Sequence, residues 1–303
     1  MSLTTKLEVT LPNYPTSISS YGSKLCLGFT DGKIRIYDVH QERCITEIDA
    51  HDFGVNKVLF DKLGQLVISC GDDGQIKLWE LEGQLVGSLL GHTNYVQSLA
   101  LDSRNLLLLS GDTDNSCILW DVRNLLDINT FYHVHSEAVS SVDFSADSSV
   151  FLSASYDGTV HIWDTMSLNS IKTISFSRNV PVVSAKFLKH QDYIFSACLN
   201  HKIYLWDVMQ VKSLPLKTYS GHSNMHFRCG NSFTDNLVYS GSEDAKIYAW
   251  DLESENLVGV LNTYKEGFVV NSLEVQGELL AYTLIDKEFN EEGCLRLAKL
   301  EEF

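Results

Sequence analysis

An aromatic residue followed by an acid returns through this chain at a nearly constant step. The pairs are Tyr37-Asp38, Trp79-Glu80, Trp120-Asp121, Trp163-Asp164, Trp206-Asp207 and Trp250-Asp251, and the steps between aromatics are 42, 41, 43, 43 and 44 residues. A fixed step of this size marks a repeated supersecondary unit that buries its apolar face only by stacking on its neighbours. Each aromatic ends a short run of alternating apolar residues: KIRIYD, QIKLWE, CILWD, VHIWD, KIYLWD, KIYAWD. Alternation at period two is the strand pattern. Only 4 prolines occur in 303 residues, and no long stretch repeats at helical spacing. The fold class is therefore all-β.

Units of about 40–45 residues match the four-stranded blades of a β-propeller. Six blades are marked by the aromatic pairs. A seventh, degenerate blade is built from Phe268-Val269-Val270, Leu279-Leu280-Ala281-Tyr282 and Cys294-Leu295-Arg296-Leu297-Ala298. It lacks a fourth strand. Leu7-Glu8-Val9-Thr10-Leu11 alternates correctly and has no place in blade one, so it is expected to close blade seven and remove the open edge. The expectation is one seven-bladed domain over residues 1–303.

A second pattern lies inside the units. A Ser stands four residues before an Asp, which stands six before the Trp: Ser69/Asp73/Trp79, Ser110/Asp114/Trp120, Ser153/Asp157/Trp163 and Ser240/Asp244/Trp250. A His precedes each set, at His51, His92, His135 and His222. Over nearly its whole length the chain resembles the WD-repeat family. That resemblance implies that each Asp, His, Ser and Trp forms one hydrogen-bonded tetrad, as a buried acid, imidazole and indole require. Blade five has Asn200 in place of the Asp, and its linker, SFSRNVP at 175–181, offers no His. Blade one has Asp31 and Tyr37, but Leu27 in place of the Ser. Both blades are expected to lean more on apolar packing.

Charge and composition exclude several functions. The net charge of −16 argues against direct nucleic-acid binding and against an anionic membrane surface. The N-terminus MSLTTKLEVTLPNYP has no signal-peptide run, and no stretch approaches a membrane span. The 7 cysteines are scattered without a C-x-x-C pair, the pattern of reduced thiols. No nucleophile elbow, zinc helix, phosphate loop or dinucleotide fingerprint is present. The Ser/His/Asp sets look like hydrolase triads but recur once per blade, which is how structural elements behave. Asp112-Thr113-Asp114 only faintly resembles a calcium loop, with Cys117 and Arg123 where Gly and Glu belong. The segment 286–292 reads as a solvated acidic loop. The chain is thus expected to be no enzyme, to hold no cofactor or metal, and to bind other proteins rather than copies of itself.

A narrower resemblance rests on HSEAVSSVDF (135–144), SASYDGTVHIWDT (153–165), VPVVSAKF (180–187), LKTYSGHSN (216–224) and SGSEDAKIYAWDL (240–252). These stretches are similar to the WD-repeat scaffold subunit of COMPASS-type complexes, which methylate the fourth residue of histone H3, a lysine. The similarity is closest to fungal members. It implies a nuclear protein with a SET-domain methyltransferase and a second propeller subunit as partners. Two sites carry over. The central-channel face, which grips an arginine in animal members, maps to Asp72, Gln97, Ser140, Tyr156, Phe227 and Gly230. Gln97 and Gly230 stand where the two clamping aromatics belong, so this arginine site is expected to be weak or lost, since neither supplies cation–π energy. The partner groove on the opposite face, between blades five and six, maps to His190, Tyr193, Leu205, Phe233 and Glu253. Other WD-repeat adaptor roles, in ubiquitin ligases or RNA processing, remain open, as does a propeller enzyme at low weight.

Overall fold

The alternating runs form twenty-eight strands. The computed structural model describes residues 4–176, 180–188, 193–210, 214–263, 266–288 and 293–299. Strand β1 (Thr4–Thr10) is followed by blade one: β2 (Pro15–Tyr21), β3 (Lys24–Phe29), β4 (Lys33–Asp38) and β5 (Arg43–Asp49). Blade two holds β6 (Val55–Phe60), β7 (Leu66–Gly71), β8 (Ile76–Glu80) and β9 (Leu85–Leu89). Blade three holds β10 (Val96–Leu101), β11 (Leu107–Asp112), β12 (Cys117–Asp121) and β13 (Leu126–Phe131). Blade four holds β14 (Val139–Phe144), β15 (Val150–Ser155), β16 (Thr159–Asp164) and β17 (Ser170–Ser175). Blade five holds β18 (Val182–Phe187), β19 (Tyr193–Cys198), β20 (Lys202–Asp207) and β21 (Lys217–Ser220). Blade six holds β22 (Asn231–Phe233), β23 (Leu237–Gly241), β24 (Lys246–Asp251) and β25 (Leu257–Asn262). Blade seven holds β26 (Phe268–Gln276), β27 (Leu279–Asp286) and β28 (Cys294–Lys299).

Seven four-stranded sheets result, and no helix occurs among the described residues. The seventh sheet runs β1-β28-β27-β26, with Glu8 opposite Arg296 and Thr10 opposite Cys294. The N-terminal strand closes the last blade, as its alternation foretold.

The apolar faces meet between blades rather than in one central core. Ile34 and Ile36 of blade one pack with Val58, Val67 and Trp79 of blade two. Leu11, Ile18 and Tyr37 pack with Ala281 and Leu297 across the closure. The acid that follows each aromatic also has a structural task. Asp38 accepts from the N–H groups of His40 and Gln41, Asp121 from those of Arg123 and Asn124, and Asp251 from that of Ser254. It caps the turn into the fourth strand.

Two slips recur among the blades. Where the first strand pairs with the second, the register passes over one residue: Thr16, Asn56, Gln97, Ser140, Val183 and Asn271 in blades one to five and seven. Such bulges bend a strand and re-aim its side chain. Four of these side chains bond to the next blade: Thr16 Oγ1 to Val55 O, Asn56 Nδ2 to Val96 O, Ser140 Oγ to Val182 O and Asn271 Nδ2 to Pro15 O. Blade six has no bulge there, and its first strand is three residues long. The second slip lies just before the aromatic in the pairing of third and fourth strands of blades one to four and six.

Candidate functional site: channel, faces and blade interiors

The tetrads are complete in blades two and four. Trp79 Nε1 donates to Ser69 Oγ at 3.0 Å, Ser69 lies 2.8 Å from His51 Nε2, and His51 Nδ1 lies 2.9 Å from both Asp73 oxygens. One tautomer satisfies every member: indole to hydroxyl, hydroxyl to Nε2, Nδ1–H to carboxylate. Burial holds His51 below its usual value although Asp73 pulls the other way. In blade four Trp163, Ser153, His135 and Asp157 repeat the relay at 3.2, 2.9 and 3.1 Å. Burial works against the Asp157 anion. Hydrogen bonds from His135, Thr159 and the Ser136 N–H nonetheless hold its carboxyl well below the usual range.

Two tetrads read from spacing are corrected. In blade three Trp120 and His92 both meet Ser110, but His92 Nδ1 pairs with Asp112 at 2.8 Å rather than with Asp114. Asp112 ends β11 and also accepts the N–H groups of Asp114 and Ser116. It does the work that Ser155 and Asp157 share in blade four. Asp114 is exposed, and among the described residues its carboxylate accepts only from Thr93 Oγ1. In blade six His222, Ser240, Asp244 and Trp250 do not join. Trp250 Nε1 donates to Ser220 O, Ser240 Oγ to Gly241 O, and Asp244 takes the Tyr248 hydroxyl at 2.7 Å. His222 lies edge-on to the Trp250 ring, 5.4 Å between centroids, and neither ring nitrogen has a partner among the described residues. Burial, then the neighbouring His201, pulls it down to about 4. One layer out, Glu243 Oε1 collects the N–H groups of Met225, His226 and Phe227, where other blades begin their first strand.

Blade five follows the apolar expectation. Phe176 packs edge-on to Trp206 at 5.0 Å, and Asn200 Nδ2 donates to Tyr204 OH. Residues 177–179 of its linker lie outside the described residues. Blade one departs from it. Arg35, 6 % exposed, pairs with Asp31 at 3.0 Å and Glu47 at 2.7 Å and covers the Phe29 ring at 4.4 Å. Asp286 of the acidic segment is buried at the end of β27, and residues 289–292 lie outside the described residues.

The first strands surround a central channel of about 390 Å³. Serines stitch those strands together: Ser17 and Ser19 accept from Val58 N and Phe60 N, Ser98 from Val142 N, and Ser272 from Ile18 N. Of the residues mapped from the arginine site, Gly230 lines the channel, and Gln97 and Ser140 occupy bulge positions next to the channel-lining Ser98 and Ser141. A Cβ at Gly230 would stand 2.4 Å from Leu273 N and 2.6 Å from Ser272 Cα, so the close approach of two backbones excludes a ring there. Arg228, which sequence reasoning passed over, reaches from blade six to blade four and donates from Nη2 to Ser140 O at 3.0 Å. Phe227 packs with Cys229, Val269 and Tyr14 instead of facing an open clamp. Tyr156 is half-buried.

Asp72 lies apart from these, in a basin of about 410 Å³ on the face formed by the interblade links. Phe53 and Tyr95 flank it, with Asp31 and Asp52, and Asp72 holds the bulge residue Asn56 at 2.7 Å. On the opposite face, Tyr193 is 37 % exposed, whereas Leu205 is buried and Phe233 packs half-buried against Phe195 and Leu205. Glu253 is exposed, and its carbonyl accepts from Lys217 Nζ. His190 lies outside the described residues. Among those residues, no group of three metal-ligating side chains gathers, and each described cysteine is a free thiol.

Comparison with known proteins follows this geometry. The model of the WD domain, G-beta repeat, matches residues 42–80, 83–121, 127–164 and 213–251, together more than half of the chain. The matched stretches run from the fourth strand of one blade to the third of the next, and they pass over blade five, where Asn200 breaks the pattern. The chain is 29% identical over 118 residues to the LEC14B protein of Lithospermum erythrorhizon, which is 37% of this chain and 25% of that protein. It is 31% identical over 119 residues to the DDB1- and CUL4-associated factor 11 homolog of Caenorhabditis elegans, 37% of this chain and 21% of that protein. It is 33% identical over 79 residues to eukaryotic translation initiation factor 3 subunit I of Saccharomyces cerevisiae, 26% of this chain and 23% of that protein. The matched stretches thus span a quarter or less of these relatives. Seven blades, two complete relays and the matched repeats lead to one conclusion: the chain belongs to the WD domain, G-beta repeat family, whose propellers act as protein-binding scaffolds and adaptors.

Proposed function

We propose that this protein is a non-catalytic scaffold that serves in the nucleus as the propeller subunit of a COMPASS-type histone H3 methyltransferase complex. A SET-domain subunit would carry the methyl transfer, and a second propeller subunit would be its neighbour. The narrower sequence resemblance supports this reading. The observation that carries it is Tyr193, 37 % exposed at the start of β19, beside the core in which Leu205 of blade five and Phe233 of blade six pack together. An apolar rim residue beside a packed core suits a short extended segment of a partner. Because Phe233 shares the interblade core, Tyr193→Ala is the discriminating variant. It is expected to abolish co-purification of the second propeller subunit while leaving the melting curve in place. Retention of that subunit by Tyr193→Ala would sink the groove.

A second reading, a ubiquitin-ligase adaptor, is favoured by the similarity to a relative named for DDB1 and CUL4. Affinity purification of the tagged chain from its own cells separates the two. A SET-domain methyltransferase among the eluted proteins supports the first reading, and a cullin with DDB1 supports the second.

A further inference from the structure

The central channel gathers cations in a strongly acidic protein. Lys57 projects from β6, Lys186 from β18 and Arg228 from the segment before β22, and all three line the channel together with the exposed Lys62. None is in an ion pair among the described residues. Lys186 Nζ donates to Asn231 O at 3.3 Å, Arg228 Nη2 donates to Ser140 O at 3.0 Å, and Lys57 Nζ has no hydrogen-bond partner among the described residues. Burial, then Lys186 and Arg228, draws Lys57 down to about 8, so the three sense one another. Two carboxylates share the channel, each holding hydrogen bonds of its own, and they offset part of the charge: Glu274 acts on Lys57 and Lys186, and Asp143 on Lys186. Glu274 Oε1 takes the N–H and hydroxyl of Ser20, and Asp143 Oδ2 takes Phe187 N–H. Three like charges confined to one channel, each only partly exposed, are unfavourable unless something negative joins them.

We propose that the central channel is a binding site for a small multivalent oxyanion of the phosphate class, held by Lys57, Lys186 and Arg228. The chemistry selects the class. One guanidinium N–H is spent on Ser140, and the rest of the planar fork remains to receive two oxygens of one oxyanion, while the lysines add point charges. With Lys62, four cations against two carboxylates leave two positive charges in excess, which a divalent anion neutralises and a neutral ligand does not. The volume of about 390 Å³ lies in the range of small-molecule sites.

The test titrates the full chain with sodium pyrophosphate by calorimetry, with sodium chloride holding ionic strength constant. The expected result is saturable binding of one pyrophosphate per chain with a rise in melting temperature. Lys57→Met and Arg228→Gln are each expected to weaken binding about tenfold or more, the share of one charge-assisted contact. Lys57→Met is also expected to melt higher than the parent without ligand, because it removes a confined like charge. Should Arg228→Gln fail to fold, Lys186→Met takes its place. No saturable heat beyond the chloride control, or unchanged affinity in these variants, overturns the proposal. Citrate binding as tightly as pyrophosphate at equal ionic strength overturns the phosphate assignment.

Discussion

Replacing Asp112 and Asp114 separately in blade three distinguishes the structural relay from the one suggested by spacing. The His92 and Asp112 side chains are 1% and 2% exposed and 2.8 Å apart. Asp112→Ala strands the His92 Nδ1–H and leaves the Asp114 and Ser116 N–H groups without their acceptor. Breaking one side of a buried, hydrogen-bonded pair costs about 3–5 kcal/mol. Asp114→Ala loses one exposed hydroxyl contact, worth less than about 0.5 kcal/mol. Asp73→Ala in blade two is the control, since there the residue four beyond the Ser does hold the His, and it should fall with Asp112→Ala. Urea unfolding followed by tryptophan fluorescence, with a thermal scan alongside, measures all three. A loss in Asp114→Ala equal to or above that in Asp112→Ala would refute the assignment of the relay.

Other outcomes follow from the same geometry. Burial keeps His222 neutral in the folded state, with a value near 4 against about 6.5 unfolded. The unfolded chain therefore binds the extra proton, and stability present above pH 6.5 is lost as pH falls toward 4. The loss is about 2 kcal/mol by pH 5; His222→Phe should flatten this part of the pH–stability curve, and an unaltered curve would count against it. Deleting residues 1–11 removes β1 and the fully buried Leu11. It should cost at least about 2–3 kcal/mol, and melting like the full chain would show that the closure is dispensable. Gly230→Ala should destabilise by about 1–3 kcal/mol through overpacking against Ser272 and Leu273. For the same reason Gln97→Phe with Gly230→Phe should not create tight arginine-peptide binding; a low-micromolar dissociation constant by fluorescence anisotropy would contradict this.

The architecture was readable because it is repeated. The aromatic–acid pairs, the alternating runs and the unpaired Leu7–Leu11 segment each state one local rule, and seven blades with an exchanged strand satisfy all of them. The relays of blades two and four were readable for the same reason. Blade three was not, because Asp112 and Asp114 lie two residues apart and spacing cannot tell which carboxylate turns inward. Blade six failed because its choice is made by Tyr248 and Glu243, which lie outside the four-residue pattern. The close backbone approach at Gly230 was not visible, because it joins blade six to Ser272 and Leu273 of blade seven. Nor was the guanidinium of Arg228 at Ser140, because the contact joins residues 88 apart. The cationic channel was least visible. Lys57, Lys186 and Arg228 each read as an ordinary polar position beside a strand, and only closure of the ring turns them toward one another.

That closure also sets an order of events in time. Thr10 pairs with Cys294 and Thr4 with Lys299, so β1 waits for a strand made about 290 residues later. Joining ends about 290 residues apart costs about 5 kcal/mol of chain entropy, against about 1 kcal/mol for a four-residue turn. Until β1 and β28 join, each lacks its partner strand, and the apolar face of blade one that meets Ala281 and Leu297 stays uncovered, open to pairing with other chains. A circular permutant cut between blades three and four would convert the slow union of β1 and β28 into a hairpin. It would keep the same final sheets while shortening the interval in which the ring stands open.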